Sequence, residues 1–448
     1  MTRGRELLLI VSLLVGTILV PINSTMIAVG LSAISAYFHE NLAAISWVVT
    51  IYLIVMAVTQ PIAGKLGDLY GNRRIYMWGL ALLFLSSIAC AFSFNLPWLI
   101  AFRSVQAIGG ALVAPNASAI IRHAVSKERM AKVFGLFGMG MGLGAAIGPL
   151  LGSTLISLWG WKSIFWVNVP FLVFAIVTTW LVLPRHDEQK EASLDWPGSV
   201  YLAVSFTLLI LLTHPQTIVR YIIIGVLFVF FAILFVYREL RASHPLIQFS
   251  LFKNSTFTSA NLSILLSNCV MYTTLLAMPW ILESDFRLST GKVGLVMFVF
   301  SISMSVAGWI GGQLAARWGN RKMITLSFFV SVIASVLYWS LHLSMSIPYL
   351  LFALFVGGLA GGLGNSAMQT ASLQSVSKEL SGTASGIFST FRYFGSMISS
   401  TLVSLFVGQT SLFVVLLVVS AAGILVARGV KPEWDIEQAT RLGVKKGS

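Results

Sequence analysis

The chain has 448 residues, of which 57% are hydrophobic and only 10% charged, and it carries a net charge of +14. Soluble domains hold about 25% charged residues, so soluble, disordered and fibrous classes are excluded. The excess of lysine and arginine is not a nucleic-acid face, because it sits in short clusters between apolar runs. An all-α polytopic membrane protein is what remains.

A helix needs about 20 mostly apolar residues to cross the hydrocarbon of a bilayer. Runs of that kind are predicted at 7–30, 43–63, 75–95, 98–121, 133–157 and 163–183. Two shorter ones follow at 198–213 and 219–237, and six more at 258–280, 293–314, 323–341, 347–370, 384–407 and 410–427, fourteen in all. The first has no small-residue cleavage site and reads as a retained helix, not a signal peptide. Cys90 and Cys269 each lie inside an apolar run and read as small buried hydrophobes, with no metal site or disulfide framework.

Counting Lys and Arg orients the spans. With the amino terminus inside, 23 of the 29 fall in cytoplasmic segments, and only Lys162, Arg220, Arg287 and Lys292 fall outside. Arg103 and Arg392 remain within spans. Both termini are therefore expected in the cytoplasm.

The charge punctuation repeats. The second span ends in Gly64-Lys65-Leu66-Gly67-Asp68-Leu69-Tyr70-Gly71-Asn72-Arg73-Arg74. The tenth ends in Gly312-Gln313-Leu314-Ala315-Ala316-Arg317-Trp318-Gly319-Asn320-Arg321-Lys322, in the same phase. The expected division is a six-helix half over 1–183, a linker with two inserted helices over 184–250, a second six-helix half over 251–428 and a tail over 429–448. Paired halves of this kind are an architecture of alternating-access transporters.

Gly64–Arg74 resembles the inner-loop signature of the major facilitator superfamily, G-x-L-x-D-x-x-G-R-R/K. Arg103-Ser-Val-Gln106-Ala-Ile-Gly109, continuing to Pro115, resembles that family's fourth-helix motif. Gly144-Ala-Ala-Ile-Gly148-Pro149-Leu-Leu-Gly152 resembles its fifth-helix motif, with Ser153 in place of a final glycine. With fourteen spans, the resemblance is to the drug:proton antiporter branch, the multidrug and quaternary-ammonium resistance exporters. It implies a gating role for Gly64, Asp68, Gly71, Arg73 and Arg74, with Gly312, Gly319 and Arg321 as a weaker twin. The glycines of the fifth span, Gly138, Gly140, Gly142, Gly144 and Gly148, let backbones approach closely, either as generic helix packing or to seal the interface between halves. On physical grounds Asp68 can accept from helix N-terminal amides or pair with an arginine.

Proton coupling needs a titratable group in the path. Where the resembling family commonly has an aspartate in the first span, this chain has Asn23. None of its fifteen acids falls at a membrane midplane, and Glu283 and Asp285, at the outer end of the ninth span, come closest. Arg103 is expected to donate to the Asn23 amide oxygen, or to meet an anionic or zwitterionic substrate. Gln106, Asn116, Asn268, Tyr272, Gln369 and Tyr393 are further candidates to line a path, each with an interhelical hydrogen bond as the alternative use; Arg392 is another, with snorkelling to the inner face as its alternative. Without a fixed negative charge, neutral amphiphiles, weak acids or lipid-like molecules suit the path better than cations.

The expected function is secondary active export of hydrophobic or amphiphilic small molecules, proton-coupled by resemblance. The alternative is a facilitator, or a lipid or metabolite translocator, with no obligatory proton. The expected setting is a bacterial inner membrane, as a monomer among lipids, with no enzyme activity, cofactor, metal or nucleic-acid partner.

Overall fold

The computed structural model describes residues 3–183, 194–212, 217–242, 245–288, 290–343, 346–406 and 410–431. Residues 184–193 and those from 432 onward, which hold most of the expected linker and tail charges, lie outside the described residues. The described residues form an all-α chain of about fourteen hydrophobic helices. The first five are α1 (Arg3–Phe38), α2 (Leu42–Tyr70), α3 (Asn72–Ala91), α4 (Leu96–Ala124) and α5 (Lys127–Trp159). Next come α6 (Ser163–Val182), interrupted at Val167, α7 (Trp196–Leu211) and α8 (Ile218–Arg241). The remainder are α9 (Ser255–Ser284), α10 (Thr290–Trp318), α11 (Asn320–Trp339), α12 (Ile347–Gln374), interrupted at Gly364, α13 (Ser381–Phe406) and α14 (Ser411–Ala427).

Ten of these are long and apolar enough to cross a membrane. Of the other four, α7 and α14 are short apolar helices. α5 and α13 are long helices, and Leu150–Trp159 of α5 is a further short apolar stretch. Helix starts are set locally. Asn41 accepts from the Ala44 amide at 2.9 Å and Asn95 from the Trp98 amide at 3.0 Å, satisfying amides the first turn leaves open.

Contacts group the chain into two compact helical bundles. The first comprises Met1–Val125, Leu143–Gln248 and Ser377–Thr390; the second comprises Ser126–Gly142, Phe249–Val376 and Phe391–Ser448. α5 and α13 are thus each divided between bundles. In the first bundle, Met26, Ile34, Val48, Leu99, Trp161 and Phe165 share one buried core. In the second, Met278, Phe300, Tyr338, Leu350 and Leu416 do so. The outer surfaces are as apolar as the cores: only 6% of the most apolar stretch of α8 is buried. That inversion is what a lipid solvent requires, with close backbone packing in place of the hydrophobic effect.

Candidate functional site

The turn from α2 to α3 is made by Gly71 at φ 92°, and the turn from α10 to α11 by Gly319 at φ 86°. Both lie in the left-handed region that glycine alone enters at no steric cost, so the repeat read in the sequence is a repeat of backbone geometry. At the ends of α2 and α10 that carry these turns, two glycines repeat a close contact. A side chain on Gly64 would collide with the Gly382 carbonyl and, at 3.2 Å, meet the Gly386 Cα, both on α13. One on Gly312 would stand 2.6 Å from the Ala131 carbonyl and 2.7 Å from the Gly135 Cα, both on α5.

The partner segments are themselves a repeat that went unread. Val125-Ser126-Lys127-Glu128 leads to Gly135-Leu136-Phe137, and Val376-Ser377-Lys378-Glu379 leads at the same spacing to Gly386-Ile387-Phe388. Flanking contacts repeat too. His123 of α4 hydrogen-bonds the Lys378 backbone, and Gln374 of α12 donates to the Lys127 carbonyl at 3.3 Å.

The two contacts differ in one respect. Asp68, half-buried on the last turn of α2, accepts from the Gly382 amide at 2.7 Å and the Thr383 amide at 2.6 Å. These amides are open because α13 begins only at Ser381, after a tight turn over Lys378–Leu380. A carboxylate there makes charge-assisted bonds and meets the positive end of the helix dipole. In the twin, Ala316 holds the position of Asp68, and α5 already begins at Lys127, so the amides of Ala131 and Lys132 bond within the helix.

Neighbouring groups brace the Gly64–Arg74 turn. Arg73 donates to the Trp180 carbonyl at 3.2 Å, at the C-terminal end of α6 where a cation is favoured. Arg74 is exposed, and Arg321 is half-buried at the start of α11. Asn116 of α4 donates to the Ala63 carbonyl of α2 at 3.1 Å and to Leu112 at 2.8 Å. It therefore makes an interhelical bond beside the turn. In α5, Gly144 faces Ile18 and Ile22 of α1, Gly148 faces Thr25 and Gly152 faces Met26, at the close spacing expected of small residues. The side chain of Pro149 lies outside the described residues.

Arg103 does not pair with Asn23. It is fully buried and turns toward α2 and α3, where it donates to the Gln106 side-chain oxygen Oε1 at 2.5 Å and the Val48 backbone carbonyl at 3.4 Å. Its guanidinium lies over the Tyr52 ring at 4.1 Å, and Gln106 passes the chain on to Ser87 at 2.8 Å. The Asn23 oxygen instead accepts from Asn168 of α6 at 2.7 Å. The reason is local: a carbonyl and an aromatic face on α2 together solvate the guanidinium, while the asparagine oxygen is engaged elsewhere. Arg103 Nη2 is left buried with no hydrogen-bond partner among the described residues.

In the second bundle the candidates converge more closely. Arg392 of α13 stands beside Tyr393 and beside Tyr272 of α9, with Met141 Sδ 3.9 Å from its Nη1. Asn268, one turn before Tyr272, spends its amide on the Ile264 carbonyl at 3.0 Å and packs against Gly395. Gln369 is half-buried on the second part of α12. Asp285 is exposed just past α9, bonded by Ser284 at 2.7 Å, and the side chain of Glu283 lies outside the described residues.

The family model described as Major Facilitator Superfamily matches residues 13–259 and 260–443. An MFS-type transporter of Bacillus subtilis (strain 168), YvkA, is 53% identical over 97% of this chain and 98% of its own. Multidrug resistance protein 3 of the same organism is 26% identical, over 88% of this chain and 78% of its own. The crystal structure of the human organic anion transporter MFSD10 superposes with a TM-score of 0.69 at 14% identity, covering 94% of this chain and 99% of that one, a likeness of fold alone. The chain belongs to the major facilitator superfamily and is a multi-pass secondary active transporter of small molecules, not an enzyme.

Proposed function

We propose that the protein exports hydrophobic or amphiphilic small molecules by alternating access from a bacterial inner membrane, working as a monomer, with the Gly64–Arg74 turn and both termini on the cytoplasmic side. The observation that carries this reading is the Asp68 carboxylate on the open amides of α13. A contact made of one carboxylate and glycine backbones can close and part without tearing a side-chain core. The two six-helix halves, 1–183 and 251–428, would then rock about the seams where α2 meets α13 and α10 meets α5. Similarity to Multidrug resistance protein 3 supports drug-like cargo, and lysine and arginine clustered at the turns support the orientation.

Proton antiport is part of the proposal, through a group other than Asn23, with Glu283 and Asp285 the first candidates. A second reading, a facilitator with no obligatory proton, is favoured by the Asn23–Asn168 bond, since an amide pair holds that position without a titratable proton. Uptake of matched neutral, anionic and cationic amphiphiles into proteoliposomes, with and without a pH gradient, separates the two. Accumulation against a gradient of any compound supports antiport. Equilibration alone establishes the facilitator, and no flux in any arm counts against a drug-like substrate.

A further inference from the structure

The inserted helices α7 and α8 have no counterpart in the six-helix repeat, and α8 faces almost wholly outward. Two acids at their ends are nevertheless buried, although Arg238 and Arg241 beside them are exposed. Asp195, leading into α7, is 7% exposed, and Glu239, near the end of α8, is 3% exposed. Arg238 donates from Nε to both Asp195 oxygens, at 3.2 and 3.1 Å. Glu239 Oε2 accepts from the Ile247 amide at 2.9 Å, while its Oε1 is buried with no hydrogen-bond partner among the described residues.

The two carboxylates crowd one glycine. A Cβ on Gly198 would stand 2.7 Å from Glu239 Oε1 and 2.8 Å from Asp195 Oδ2. Two buried anions so placed call for more than one cation. The second is Lys65 of α2, itself only 6% exposed, whose charge acts on Glu239. Consecutive helical residues point about 100° apart, so Gly64 and Lys65 present different faces of the same turn. α13 meets the Gly64 face, and α2 also packs along α7.

We infer that Lys65, Glu239 and Asp195 are positioning residues, through which the inserted helices hold the last turn of α2 in place for its contact with α13. The inference rests on the gating role proposed for that contact. The inserted pair is then a brace on a moving part, and not a spacer between halves. Lys65 acts through Asp68 and Gly64 and touches no substrate.

The test follows maleimide labelling of full-length protein in nanodiscs, where both faces are open to reagent. Ser385, 1% exposed on α13 beside Gly386, is replaced by cysteine in a C269A background, and the buried Cys90 is kept as an internal control. Asp68→Asn is the reference variant. Lys65→Gln and Glu239→Gln should each raise labelling at position 385 about tenfold, the shift given by ~1.4 kcal/mol of lost closing free energy. Labelling of Cys90 should stay at the parental rate. Lys65→Arg should behave as the parent, and the swap K65E with E239K should return the rate to within about threefold of it.

If Asp68→Asn raises labelling and the Lys65 and Glu239 variants do not, the brace is refuted and the gate stands. If Asp68→Asn also leaves it unchanged, the gating reading fails first. A parallel rise at Cys90 would mean general loosening and would overturn the inference, as would a swap that recovers nothing.

Discussion

Replacing Asp68 by asparagine removes a charge and one acceptor while keeping the side chain's shape. One oxygen can still accept from an α13 amide, but the new NH2 group then faces the second amide donor to donor. A hydrogen bond to a charged group contributes about 1.5–3 kcal/mol and a neutral one about 0.5–1.5. The exchange weakens one bond by about 1 kcal/mol and loses the other. Discounted because Asp68 is half-buried, the total is about 2–3 kcal/mol, a roughly 30- to 150-fold shift toward the parted state. The protein should insert and run monodisperse, while initial transport rates in proteoliposomes at matched protein fall to background. Thiol labelling at S385C should rise together with that loss. Flux within twofold of the parent, with unchanged labelling, would show that the carboxylate does not hold the contact.

Further outcomes follow from the same geometry. Gly64→Ala forces a methyl against the Gly382 carbonyl, an overpacking strain of about 1–3 kcal/mol, and should raise labelling at S385C. Gly312→Ala, which meets backbone at 2.6 Å, should do the same at a cysteine placed at Phe134. Asn23→Leu leaves one N–H of the Asn168 amide unpaired, the other still donating to the Ile164 carbonyl, and should destabilise by about 1–2 kcal/mol, with the double variant Asn23→Leu/Asn168→Leu recovering most of the loss in thermal unfolding; simple additivity would contradict the pairing. Arg103→Met removes a buried charge with no carboxylate beside it and should leave the unfolding temperature unchanged or higher, while transport falls at least about tenfold. A drop in stability matching the drop in transport would assign Arg103 a packing role alone.

The span count, the repeat and the role open to Asp68 were legible because each rests on a local chemical signal: apolar length, glycine punctuation, a carboxylate beside a turn. What was illegible was partner choice. Helical spacing tells which residues share a face, but not which neighbouring helix that face meets, so Arg103 was matched to Asn23 when α2 offered it a better shell. Asn116 had two uses open to it, and only its placement beside Ala63 picks out the interhelical bond. The Val125–Phe137 and Val376–Phe388 repeat could have been found by eye, yet each copy reads alone as an ordinary loop entering a helix. The association proposed for Lys65, Glu239 and Asp195 carried no signal, because charges beside a span read first as interfacial. Only burial distinguishes them.

The absence at Ala316 of what Asp68 supplies has a kinetic consequence. Under the proposed gating, two seams of like shape but unlike strength would not part together. The α10–α5 seam, where Gly312 packs on Ala131 and Gly135 and Ala316 brings no carboxylate, should separate at a rate less sensitive to salt. The α2–α13 seam, held in addition by an ionic bond to two amides, should be the slower, salt-sensitive step. Opening would then pass through a half-parted intermediate, asymmetric in a molecule whose halves repeat.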